Sequence, residues 1–214
     1  AAAQSLVPGD DRKHSDIDTI ASDHNLVTPL FPDILVDPES DDAYNRSMMA
    51  AIRDAKSLIV VEGYDLNRED FVDALIEKAK EGVEVAVLFD PVNSAREKKK
   101  GELLDKMRDE GLPNLHVEEY AIVPKHTKSG FEQILHVKKV ITDTPDGSLC
   151  EHSGGINFSP NSINNLDFGW RTEGLAVFDS LRQVVEHWQS TTGDFPIDLA
   201  KVPDWNDVRK IAKR

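Results

Sequence analysis

Lys138 follows His136 by two residues in the run QILHVKKVITD, residues 133–143, and Asp143 comes five residues after the lysine. The run is rich in Val and Ile and reads as a strand, on which alternate side chains share a face. His136 and Lys138 are then expected on one face, roughly 7 Å apart by strand rise. Leu135, Val137 and Ile141 turn to the other face and pack in the core. An ammonium beside an imidazole disfavours the imidazolium. A neutral ring keeps a nitrogen lone pair for attack on an electrophile, and the lysine supplies positive charge for an anion held next to it. These residue types at this spacing point to a phosphate.

Two more stretches offer complementary groups. In SGGINFS, residues 153–159, Gly154 and Gly155 allow the backbone to approach a ligand closely. Asn157 adds an amide that can donate to a phosphoryl oxygen, and Ser159 adds a hydroxyl. Lys138, Gly155, Asn157 and Ser159 are therefore the expected substrate-binding residues. Glu173, in WRTEG, is a carboxylate entering the last expected strand. Two readings stand for it: a carboxylate that accepts the second ring N–H of His136 and fixes the tautomer, or a plain strand-start carboxylate paired to Arg171. The histidines around HVK, HTK and CEH lack the paired ligand spacings of zinc sites, so neither metal nor cofactor is expected. Cys150 reads as an inert buried thiol, and Trp170, Trp188 and Trp205 as core or interface fillers.

The elements that must position these groups alternate in type. Residues 1–40 read as an irregular arm with a short strand at HNLVTPLF, and residues 41–214 as one domain. Tyr44, Met48, Met49 and Ile52 have helical spacing, SLIVVEGYD follows as a strand, and Phe71, Ala74, Leu75 and Ala79 form the next helical face, ended by Gly82. VEVAVLFD is apolar enough for a strand covered on both sides. A charged helix, EKKKGELLDKMRDEG, leads to the strand LHVEEYA. After the His136 strand come GSLCEHSGGINFS, a strand at EGLAVF, a helix at DSLRQVVEHWQSTTG with Ser180 and Gln183 as a capping box, and an amphipathic tail. This order implies an α/β fold with a mixed, largely parallel sheet flanked by helices on both faces.

Charge narrows the partners. A net charge of −14 and a pI near 4.9 work against a protein that tracks a polyanion by its backbone. The basic runs REKKK (96–100) and PKHTK (124–128) read as solvated surface. No stretch reaches the apolar length of a membrane-spanning helix. The opening AAAQSL is compatible with the stub left by signal-peptide cleavage, hence with a secreted or periplasmic protein, cytoplasmic being the alternative.

The residues His136, Lys138 and Asp143, followed by Gly154, Gly155 and Asn157, resemble the signature of the phospholipase D superfamily: His-x-Lys-x4-Asp, a glycine pair and an asparagine. The likeness extends over roughly residues 41–190, and GGIN with a downstream WR is similar to the first lobe of cardiolipin-synthase and phospholipase D enzymes. Two departures stand out. Asp143 and Gly154 are separated by ten residues, implying an enlarged hairpin, and the motif occurs once where the chemistry needs two.

The resemblance implies metal-free phosphodiester exchange. One histidine attacks phosphorus to form a phosphohistidine, a facing histidine protonates the leaving oxygen, and water or an alcohol then takes the phosphoryl group. On this chain His136 is nucleophile or acid, Lys138 and Asn157 hold the phosphoryl oxygens, Asp143 orients, and Glu173 holds the imidazole. A homodimer or a second lobe would complete the site. The expected activity is a phosphodiesterase or phosphatidyl transferase acting on phospholipid head groups, with peripheral membrane contact. A nuclease of the same superfamily and a non-catalytic, partner-dependent lobe are the alternatives.

Overall fold

A computed structural model describes residues 25–30, 43–90, 98–120, 135–158 and 168–202. Within them lie seven strands: β1 (Asn25–Leu30), β2 (Leu58–Gly63), β3 (Glu84–Phe89), β4 (Leu115–Glu119), β5 (Lys138–Asp143), β6 (Leu149–Gly154) and β7 (Gly169–Gly174). The helices are α1 (Ala43–Asp54), α2 (Glu69–Lys80), α3 (Lys98–Asp109) and α4 (Leu175–Thr191). The strands form one sheet in the order β1-β7-β6-β5-β2-β3-β4.

The sheet is mixed and covered on both sides, as the sequence implies, but its parallel part is confined to β2–β3 and β3–β4. The other four pairings are antiparallel. The chain crosses over through α2 and α3 to build β2–β3–β4, then returns to the opposite side of β2 with β5 and continues as a hairpin. The hairpin turn over residues 144–148 accounts for the long spacing between Asp143 and Gly154. Asp146 accepts from the Ser148 backbone at 3.2 Å and its hydroxyl at 2.8 Å, and Gly147 adopts φ 86. The arm expected over residues 1–40 contributes β1, paired along its whole length with β7.

Period-two alternation divides the strand side chains between two cores. Ile59, Val61, Val85, Val87, Phe89 and Val140 pack under α1, α2 and α3. Leu58, Val60, Ala86, Leu88 and Ile141 face α4. Burying each of these larger side chains contributes roughly 1.5–3 kcal/mol. Trp188 belongs to the second core at 3% exposed.

Two expected boundaries move. The strand anticipated over 173–178 stops at Gly174, and LAVF begins α4. Val177 and Phe178 are buried as part of the apolar stripe that continues with Leu181, Val184 and Trp188. Ser180 therefore lies within the helix and cannot cap it. Gly174, at φ 100, makes the turn from strand to helix. The second shift is at β5, which starts at Lys138 and leaves His136 just outside the ladder.

Candidate active site

The chain reverses its direction of sheet growth beside β2, and the open end at this reversal is where α/β proteins gather ligands. Three segments converge there: the carboxyl end of β2, the lead-in to β5 and the carboxyl end of β6. Lys138 pairs with Gly63, and the next register pair, Lys139 with Ser153, places Gly154 at the same end. Gly63 leaves room for a neighbouring ring, because a Cβ there would lie 2.0 Å from the Phe89 side chain. A parallel bridge between Leu66 and Phe158, with the Asn67 N–H donating to the Phe158 carbonyl at 2.8 Å, binds the loop after β2 to the loop after β6.

His136 is exposed in the lead-in to β5, while Lys138 is only 4% exposed. The pair meets despite the shift in strand boundary. The Lys138 Nζ lies 2.9 Å from Nε2 and 3.2 Å from Nδ1 of His136. Ammonium donation requires an unprotonated ring nitrogen. Desolvation, then the Lys138 charge, lowers the His136 pKa, with the Asp90 carboxylate opposing them. The imidazole is thereby held neutral near pH 7. Tyr64 completes the surroundings: its ring meets His136 edge-to-face at 4.5 Å, and the Lys138 ammonium lies 5.3 Å from its centroid.

Asn157 follows the glycine pair on the adjoining loop. Its Oδ1, like Asp65 Oδ1 and Asn67 Oδ1 on the facing loop, is buried without a hydrogen-bond partner among the described residues. The fold has not used up these polar atoms. Gly154 also serves the packing of the sheet. A Cβ on Gly154 would lie 2.5 Å from both Gly169 Cα and the Phe168 carbonyl oxygen, and the Gly155 N–H donates to that carbonyl at 3.1 Å. The Gly155 N–H is thus engaged within the fold. Ser159 lies outside the described residues, as does the 124–128 basic run.

Asp143 and Glu173 stand apart from this end. Asp143, 4% exposed, closes the turn between α1 and β2 by accepting from the backbone N–H groups of Lys56, Ser57 and Leu58 at 2.9–3.2 Å. Glu173 is opposite Cys150, which is itself opposite Thr142, the residue next to Asp143. Its carboxylate is bound to the Arg171 Nη2 at 2.7 Å. The expected contact between Glu173 and His136 does not form, because the register carries Glu173 to the far end of the sheet.

Buried His152 accompanies Ser47, with Nε2 and Oγ 2.8 Å apart. Burial and the Arg171 charge lower its pKa to about 3, so it is a neutral packing group. Burial likewise raises the Cys150 thiol, consistent with an inert cysteine. On the α4 side of the sheet, fully buried Glu62 binds His187 Nδ1 at 2.6 Å, with Lys139 at 3.6 Å. The Glu62 hydrogen bond raises the His187 pKa against desolvation. Sequence reasoning passed over Tyr64, Asp90 and Lys100. Tyr64 and Asp90 follow the last residues of β2 and β3, and that position was the available signal.

Residues 48–188 match the family model for the cardiolipin synthase, PLD-like domain. No curated protein sequence matches the chain. The fold is similar to that of Nuc, a phospholipase D family member from Salmonella typhimurium, at 18% identity and TM-score 0.58, covering 78% of this chain and 93% of that one. NucT from Helicobacter pylori gives 19% identity and TM-score 0.59, with 80% and 98% covered. Phosphatidylserine synthase from Haemophilus influenzae gives 13% identity and TM-score 0.58, with 88% of this chain but 44% of that one covered. At these identities the structural likeness is one of fold. The family match spans more than half of the sequence and includes the whole His136–Lys138 end, and the chain belongs to the PLD-like domain family.

Proposed function

We propose that the protein exchanges phosphodiesters through a phosphohistidine on His136, with phospholipid head groups as the substrate class. The observation that carries this reading is the neutral, exposed imidazole held 2.9 Å from a buried ammonium at the open end of the sheet. In the resting state the ammonium occupies a ring-nitrogen lone pair. A phosphoryl oxygen is the stronger acceptor, so substrate draws Lys138 onto itself and frees the ring for in-line attack. Phosphorus bonds to the ring nitrogen as the ester oxygen departs, and the departing oxygen needs a proton.

The motif occurs once in 214 residues, so that proton comes from the histidine of a second copy or a separate lobe. A two-fold dimer places two identical strand ends across one cleft. Water or an alcohol then attacks the phosphohistidine, and the second imidazole removes its proton. The net charge of −14 favours a lipid over an extended polyanion. Peripheral contact with a membrane surface accompanies that choice.

The test incubates the protein with phosphatidylcholine vesicles and, separately, with single-stranded DNA, chelator present, alongside His136→Ala. The proposal expects head-group release that is lost in the variant and a dimer by light scattering. Cleavage of DNA alone would replace it with a nuclease, and a dimer inactive on every phosphodiester would leave a non-catalytic lobe. An active monomer would overturn the shared cleft.

A further inference from the structure

Lys100 lies in a lysine run that reads as surface, yet its side chain is 0% exposed. It heads the buried face of α3, followed at helical spacing by Leu103, Leu104 and Met107. Burying an ammonium costs several kcal/mol unless its donors are satisfied, and an apolar residue would suit that face better. The lysine has specific acceptors instead. Its Nζ donates to the Tyr64 carbonyl at 2.5 Å and to the Asp90 carbonyl at 2.9 Å. Those carbonyls belong to the first residues beyond β2 and β3, so one cation ties the two strand ends together.

Asp90 is also 0% exposed, and its Oδ2 accepts the Leu135 N–H at 2.5 Å. Leu135 lies outside any strand and immediately precedes His136. The Tyr64 ring, whose backbone Lys100 holds, contacts both His136 and Lys138. The main-chain approach to His136 and the ring beside it therefore both lead back to Lys100, one through the Asp90 carboxylate and the other through Tyr64.

We propose that Asp90 and Lys100 are positioning residues for His136: Lys100 locks the ends of β2 and β3, and the Asp90 carboxylate fixes Leu135 so that the imidazole meets Lys138 and Tyr64. This rests on the reading of His136 as the reacting group, although the geometry concerned belongs to the resting protein. Among the described residues, the ionisable groups recorded around this ring are Lys138, Tyr64 and Asp90. Asp90 alone raises the ring's pKa, opposing Lys138.

The experiment measures Leu135 amide exchange and the His136 ring titration by NMR in the full chain, comparing wild type with Asp90→Asn, Asp90→Ala and Lys100→Met. In the wild type the Leu135 amide is expected to be protected at least about a hundredfold, although it lies in no strand. Asp90→Ala and Lys100→Met should accelerate its exchange at least about tenfold, the amount one charge-assisted hydrogen bond commands. Val87, in the middle of β3, should stay within about twofold. Asp90→Asn should lower the His136 pKa. With bis(4-nitrophenyl) phosphate the Asp90→Ala variant should lose at least about tenfold in kcat at little-changed KM.

An unprotected Leu135 amide in the wild type would overturn the proposal, and that result is available even if every variant fails to fold. Folded variants with wild-type Leu135 exchange and His136 titration would also overturn it. A wild type that turns over no phosphodiester, but shows the expected exchange and titration, would refute the proposed function and leave the positioning role standing.

Discussion

At the N-terminal end of β5 an exposed imidazole rests against a buried ammonium. At the C-terminal end, about 17 Å further along by strand rise, the Asp143 carboxylate is enclosed by three backbone N–H groups. The residues of one short motif thus divide between opposite ends of a strand. One end keeps polar atoms available to a ligand, and the other uses them to close the turn that starts β2. Regular spacing within a motif is therefore no guarantee of a common site. A strand separates residues five apart as surely as a helix gathers residues four apart.

The largest expected effect breaks the comparison at its chemical end. His136→Ala should reduce phosphodiester turnover at least about 10³-fold, while its thermal midpoint stays near the wild-type value because the side chain is exposed. A variant with both lowered would mean that this end also carries the fold.

Acid stability separates His136 from His152. The unfolded His152 protonates near 6.5 and the folded one only near 3. Between those values the unfolded chain binds more protons, so stability present above pH 6.5 is lost as pH falls, by on the order of 4 kcal/mol. Denaturant titrations from pH 7 to 3.5 should show this slope, and His152→Asn, which has no such ionisation, should flatten it.

Asp143→Ala should lower stability by about 2–4 kcal/mol, because three backbone N–H groups, that of buried Leu58 among them, lose a charged acceptor. Turnover measured well below the midpoint should stay within about threefold of wild type. A collapse of kcat in a folded Asp143→Ala protein would show the two ends to be coupled. Glu173→Gln should have the smallest consequence, less than about 1 kcal/mol, since its Arg171 partner is 36% exposed. A large loss of activity there would reinstate Glu173 as a partner of His136 through some route other than the observed register.

The sequence made most of the architecture legible where periodicity was long and unambiguous. VEVAVLFD forms a strand buried on both faces, and the Tyr44–Met48–Met49–Ile52 stripe forms a helix. LAVF was ambiguous in type: a four-residue apolar run satisfies either period, and only packing against the α4 core decides for helix. The meeting of His136 and Lys138 was legible because residues two apart at a strand share a face. Glu173 was misplaced because proximity to a histidine depends on register across two pairings, which local spacing does not encode. Lys100 had a signal that charge obscured: it continues the face of Leu103, Leu104 and Met107.

The measurement that bears most directly on the central claim is mass spectrometry of the protein quenched in alkaline denaturant, where a phosphorus–nitrogen bond survives, during turnover of bis(4-nitrophenyl) phosphate. The account predicts a phosphoryl adduct on His136 itself, formed at a rate competent for turnover and absent from His136→Ala. Steady turnover with no adduct on that residue, and undiminished in His136→Ala, would contradict it.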